Sequence, residues 1–239
     1  MRLKDFFLAP WRDAMLAMER VVAAEGSRGM ARVLVGVLAS WWVYVPVHEL
    51  MHAWGCLLAG GTVTRLEIDG VYGAAWLARV FPYVSSGSNY AGRLSGFDTH
   101  ASDFVYLVTV FFPFTLTVFP GVLALRAVIR ARRSHAFLFG AAVPWALAPF
   151  VSLTGDYYEL GSIMVSRAAA GWLPDAPSRW RSDDLLLLCS QLFSAEAAAR
   201  WTDAAGVSAS LLLGTALTFA TYAAGAGGAT PFARRSAAQ

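Results

Sequence analysis

The chain has 239 residues, of which 57% are hydrophobic and only 15% charged, with a mean hydropathy of +0.50. That is too apolar for an ordinary soluble domain. The 19 basic and 16 acidic residues leave a net charge of only +3; the arginines flank apolar segments and form no continuous basic face, which argues against a nucleic-acid partner.

Residues 1–31 mix charges with apolar positions and lack the sustained apolar core of a cleavable signal peptide. They read as an amphipathic helix on the membrane surface. Four later segments reach the length of about 20 residues that a ~30 Å hydrocarbon core requires. They lie at about 33–59, 104–126, 135–165 (interrupted by Pro144 and Pro149) and 207–225. The nine Trp and eight Tyr suit interfacial anchoring. Three regions follow: an N-terminal segment at 1–31, a core at 32–166, and at 167–239 an interfacial stretch with the fourth span.

After the first span and Gly60-Gly61, Thr62 to Ile68 alternates apolar and polar residues, then Asp69-Gly70 and Val71-Tyr72 follow. An Asp-Gly turn between β-prone runs predicts a hairpin over 62–72, with an exposed strand edge. Ser85 to Ser95 reads as a flexible loop. Leu185 to Leu192 is apolar but too short to span. The expected fold is therefore an all-α membrane protein with about four transmembrane helices and a short β-hairpin after the first.

Arg126, Arg130, Arg132 and Arg133 crowd the loop between spans two and three, Arg234 and Arg235 follow span four, and five basic residues precede Arg32. These regions fall on one side of a four-span topology, so both termini are expected in the cytoplasm. The expected location is the bacterial cell (inner) membrane, as an integral protein.

The chemistry concentrates in His48-Glu49-Leu50-Met51-His52, inside the first apolar span. On a helix the two imidazoles are four residues apart and share one face, a spacing that lets two nitrogens hold one Zn²⁺. Glu49 is too close in sequence for a third ligand but well placed to act on a zinc-activated water. Ionisable groups in an apolar helix are costly, which speaks for a functional site; a polar channel face or proton relay is the competing reading.

A hydrolytic zinc needs a third protein ligand. Measured from Arg32, His48 and His52 lie roughly 24 and 30 Å along span one; measured from Arg133, Asp156 and Glu159 lie roughly 34 and 39 Å along span three. Proline breaks and tilt shorten span three, which brings Asp156 nearest the histidines and leaves Glu159 as the alternative ligand or a supporting carboxylate. Asp103 suits a helix N-terminus, His100 an exposed loop, and His135 the opposite face. Cys56 reads as a small buried hydrophobe.

Val47-His48-Glu49-Leu50-Met51-His52-Ala53-Trp54-Gly55, followed by Gly60-Gly61 and a short β segment, resembles the site-2 protease family of intramembrane zinc metalloproteases. An aspartate in a later span, with a nearby glycine and an upstream proline, also fits. The resemblance covers roughly residues 33–165. It implies His48, His52 and Asp156 as zinc ligands, Glu49 as catalytic base, and a membrane-embedded or membrane-adjacent protein or peptide as substrate in the lipid bilayer. In this family the later motif commonly has Asp before Gly, often with an upstream Asn; here the order is Gly155-Asp156 without the Asn, which marks a divergent and minimal member. Membrane prenyl-protein proteases share the pentad but use a Glu ligand, which Glu159 would supply. Two non-hydrolytic readings stand beside these: a zinc-binding membrane protein, and a proton-relay or transport protein.

Overall fold

The computed structural model describes residues 3–88, 90–131, 133–194 and 199–236. Arg2 and Arg132, which enter the charge asymmetry, lie outside them, as do the side chains of Arg234 and Arg235. The helices are α1 (Leu3–Leu58), α2 (Ala74–Val80), α3 (Asp103–Phe111), α4 (Val122–Arg130), α5 (Ala136–Val151), α6 (Asp156–Ala169), α7 (Ala176–Trp180), α8 (Leu185–Leu192) and α9 (Trp201–Ser236). The strands are β1 (Thr62–Ile68), β2 (Val84–Ser86) and β3 (Gly92–Asp98). Among the described residues four helical stretches are long and apolar enough to cross a membrane: Leu3–Leu58, Asp103–Arg130, Ala136–Thr154 and Trp201–Gly228. The protein is an all-α membrane protein with a small sheet.

Helix α1 kinks at Gly26, whose φ of 55° lies in the left-handed region. The expected amphipathic N-terminal helix therefore folds against the bundle. Ala9, Asp13, Ala17 and Val21 recur every four residues and are buried, packing with Val122, Leu125, Tyr222 and Ala226. Trp11 meets Phe150 and Phe7 meets Phe219, with ring centroids 5.5 and 4.9 Å apart. Residue 31 lies within α1, five residues beyond the kink at Gly26, and residue 166 lies within α6.

Asp13 explains why this helix is held. Its Oδ2 accepts from Arg126 Nε at 2.8 Å and from the Tyr222 hydroxyl at 2.9 Å, while Arg126 Nη1 donates to the Ala226 carbonyl at 2.9 Å. Three helices, α1, α4 and α9, thus share one buried ion pair. Removing one partner strands the other's charge, a loss of about 3–5 kcal/mol. Asp13→Ala should lower the thermal unfolding midpoint in detergent markedly; an unchanged midpoint would remove the pair from the stabilising contacts.

The second half of α1 runs beside α5. Ser40 Oγ donates to the Ala141 carbonyl at 2.6 Å and accepts from Trp145 Nε1 at 2.7 Å. Helix α5 continues through Pro144 and Pro149 and ends at Val151; a 3₁₀ turn (Ser152–Thr154) and Gly155 then separate it from α6. The third span expected to reach residue 165 is therefore two helices, and Asp156 opens the second. Helix α9 packs along α6, where the Tyr157 hydroxyl donates to Thr221 Oγ1 at 2.8 Å.

The sheet has the order β2-β1-β3. Strand β1 matches the expected strand over 62–68, but its partner differs. The Asp69 carboxylate accepts from the Val71 N–H at 2.8 Å and starts a 3₁₀ turn over Gly70–Tyr72 that leads into α2, so Val71-Tyr72 is not the second strand. The antiparallel partner is β3, paired from Thr62↔Asp98 to Ile68↔Gly92, with β2 parallel on the other side. The stretch 85–95, expected to be a loop, thus carries most of β2 and the start of β3. Leu66 and Ile68 are fully buried with Leu50, Ala53, Ala74, Leu77 and Val84, which clamps the sheet onto the last turns of α1. That clamp places β3 beside Glu49.

Candidate metal centre

His48 and His52 project from one face of α1, both buried at 7% and 9% exposure. Their Nε2 atoms are 3.2 Å apart. Asp156 reaches the same point from the first turn of α6, with Oδ2 at 3.3 Å from His48 Nε2 and Oδ1 at 3.7 Å from His52 Nε2. Metal–ligand bonds of about 2.0–2.1 Å arranged tetrahedrally place neighbouring donor atoms about 3.3–3.4 Å apart. The two imidazole nitrogens lie at about that edge length, each faces a different oxygen of the Asp156 carboxylate, and the group could hold a metal ion.

The opposite ring nitrogens are already engaged. His52 Nδ1 is 2.9 Å from the Thr109 carbonyl of α3, which can only accept, so Nδ1 donates there and Nε2 is the nitrogen that faces His48 and Asp156. His48 Nδ1 is 2.8 Å from the Tyr44 hydroxyl, one turn earlier on α1. Such outer hydrogen bonds fix ring orientation and ligand basicity. Phe114, fully buried, closes one wall with its ring centroid 5.4 Å from that of His48.

Glu159, the alternative third ligand, points elsewhere. It is 7% exposed, and its Oε1 accepts from the Tyr106 hydroxyl of α3. It stands apart from the His48–His52–Asp156 group, one turn beyond Asp156.

Glu49 shares a cavity of about 780 Å³ with His52, Asp156 and Glu159. One wall is β3, whose Gly92 backbone lies directly against the Glu49 side chain. A Cβ at position 92 would fall 2.3 Å from Glu49 Cγ and 2.7 Å from Cδ. The facing wall is the segment from Arg181 to Leu187. Arg93 of β3 and Asp183 pair across the two walls at 3.0 Å, and Arg181 is anchored to Asp103 at 2.7 Å and to Ser166 at 2.8 Å.

His100 is an exposed turn residue 3.3 Å from Asp98, as expected. Asp103 sits in the first turn of α3, but Ser102 supplies the cap and Asp103 binds Arg181. His135 lies at the start of α5 beside the arginine-rich turn. Cys56 is buried and free, with Sγ 3.6 Å from the Thr62 carbonyl. Near Asp156, Tyr157 and Tyr158 are fully buried and donate to Thr221 Oγ1 and to the Trp180 carbonyl, whereas Thr154 lines the cavity.

Sequence reasoning missed Tyr44, Thr109, Tyr106 and Gly92. Tyr44 carried a signal, since it precedes His48 by one helical turn; Thr109 contributes only a backbone carbonyl and carries none. No protein-family description, curated protein or solved structure matches this chain.

Proposed function

We propose that the protein is a zinc metallopeptidase that hydrolyses peptide bonds of membrane-embedded or membrane-adjacent substrates. The observation that carries this reading is the convergence of His48, His52 and Asp156 on one point, with Glu49 lining the same cavity as His52 and Asp156, in a membrane protein. Two imidazoles and one carboxylate form a donor set that suits Zn²⁺ and leaves a fourth position open. Bound there, zinc would supply Lewis acidity, lowering the pKa of water toward about 7 and polarising the scissile carbonyl.

The chain's own residues do the rest. Glu49 accepts the proton of the attacking water and returns it to the departing amine. Gly92 and the β3 backbone hold the Glu49 carboxylate over the cavity. Thr154 offers a hydroxyl to the developing oxyanion. The free edge of β3 offers backbone groups to an extended substrate, because a helix hides its own carbonyls in hydrogen bonds. The pairing edge is thus assigned to β3, since β1 is central in the sheet. On the arginine asymmetry, the cavity faces away from the cytoplasm.

The alternative is a proton-relay or transport protein, supported by Glu159 and Tyr106 lining the same cavity. The discriminating experiment places the purified protein in liposomes with lipid-tethered fluorogenic peptides. Hydrolysis that stops with a chelator and returns with zinc is expected. A zinc-replete, folded protein that cleaves none of a diverse peptide panel would favour the alternative.

A further inference from the structure

Far along α1 from the metal centre, a second cavity of about 350 Å³ opens where the N-terminal half of α1 meets the turn between α4 and α5. Its polar residues are Arg20, Arg133, Ser134 and His135, and its other walls are alanines and valines, among them Ala17 and Val21. Among the described residues no acid lines it. Glu25, on the adjoining turn of α1, is already occupied: it accepts from Ser134 Oγ at 2.7 Å and pairs with Arg32 at 2.8 Å.

The basic groups are not equivalent. Arg20 is fixed, donating to the Ile129 and Ala131 carbonyls at the end of α4. The side chains of Arg133 and His135 are exposed, and neither has a hydrogen bond or ion pair among the described residues. A bias of loops toward arginine accounts for their number. It does not account for a concave site with a basic rim and small apolar walls. That combination matches an amphipathic anion: phosphate oxygens on the rim, and the start of an acyl chain along alanine and valine.

We infer that this pocket binds the phosphate headgroup of an anionic phospholipid, with the Arg133 guanidinium and the His135 imidazole donating to its oxygens. The inference is independent of the reading of the metal centre. It also gives the docked N-terminal helix a ligand that spans its junction with the α4–α5 turn.

The test titrates the detergent-solubilised protein with phosphatidylglycerol, phosphatidylcholine and inorganic phosphate, following binding by native mass spectrometry. Saturable binding of phosphatidylglycerol in preference to phosphatidylcholine is expected. Each basic group near an anionic surface is worth about 1 kcal/mol, so Arg133→Ala should weaken binding about fivefold. Arg133→Ala/His135→Gln should weaken it further. Arg79→Ala, exposed and remote from the pocket, should leave it unchanged, and all variants should keep the wild-type unfolding midpoint in phosphatidylcholine. Equal binding of the two lipids, or wild-type affinity in the double variant, would overturn the site. Saturation by inorganic phosphate alone, with no gain from the lipid, would overturn the lipid assignment in favour of a soluble anion.

Discussion

Glu49→Gln should keep its metal and lose its turnover. Glutamine preserves the shape of the side chain that packs against Gly92 and cannot take a proton from water, and the candidate metal-holding group His48, His52 and Asp156 is left as it is. Positioned general acid–base catalysis contributes about 10²–10⁴-fold. A fall of that size in kcat, with unchanged metal content and unfolding midpoint, is expected from the liposome assay. Undiminished function in Glu49→Gln would separate the metal from hydrolysis and support the non-hydrolytic metal-binding reading instead.

Gly92→Ala should inhibit without touching a metal donor. The added methyl would lie 2.3 Å from Glu49 Cγ, well inside van der Waals contact, and 3.2 Å from Oε1. The strand cannot easily retreat, because Ile68, its partner across the sheet, is fully buried against the end of α1. The Glu49 carboxylate must therefore move. A displacement of about 1 Å in a catalytic constellation can cost on the order of 10²-fold in rate. The expected signature is a drop in kcat at constant metal content. Wild-type turnover in Gly92→Ala would mean that β3 does not position the base.

The part of the site that was legible in the sequence is the part carried by helical periodicity. His48 and His52 must share a face because they are four apart, and Asp156 stood out because an acid amid apolar residues demands a reason. The preference for Asp156 over Glu159 rests on depth along the two spans, with span three shortened by its proline breaks and tilt. The actual geometry depends on the break at residues 152–155, which turns Asp156 toward the histidines and Glu159 toward Tyr106. The supporting contacts were not legible because they are tertiary. Thr109 acts through its backbone, and Gly92 acts by lacking a side chain.

The same division holds for the fold. The spans follow from apolar length, which any sequence displays. The pairing of β1 with β3 does not, because Gly92, Ser95 and Gly96 give β3 little intrinsic strand preference, and its partner lies beyond α2 and β2. Asp69-Gly70 has the composition of a hairpin turn, yet the Asp69 carboxylate caps a 3₁₀ turn instead. The N-terminal helix reads as a surface element because its charges are mixed with apolar positions; one of them, Asp13, is instead buried against Arg126, more than a hundred residues away.

The central claim is that His48, His52 and Asp156 together hold one zinc ion. Elemental analysis of the detergent-purified protein, made without chelators, tests it most directly when wild type is measured beside His48→Ala and Asp156→Ala. About one zinc per chain in the wild type, lost in both variants, is the expected result for a closed three-residue donor set. Zinc lost with His48→Ala but kept with Asp156→Ala would move the third ligand to Glu159, and a folded wild type without metal would contradict the metal centre altogether.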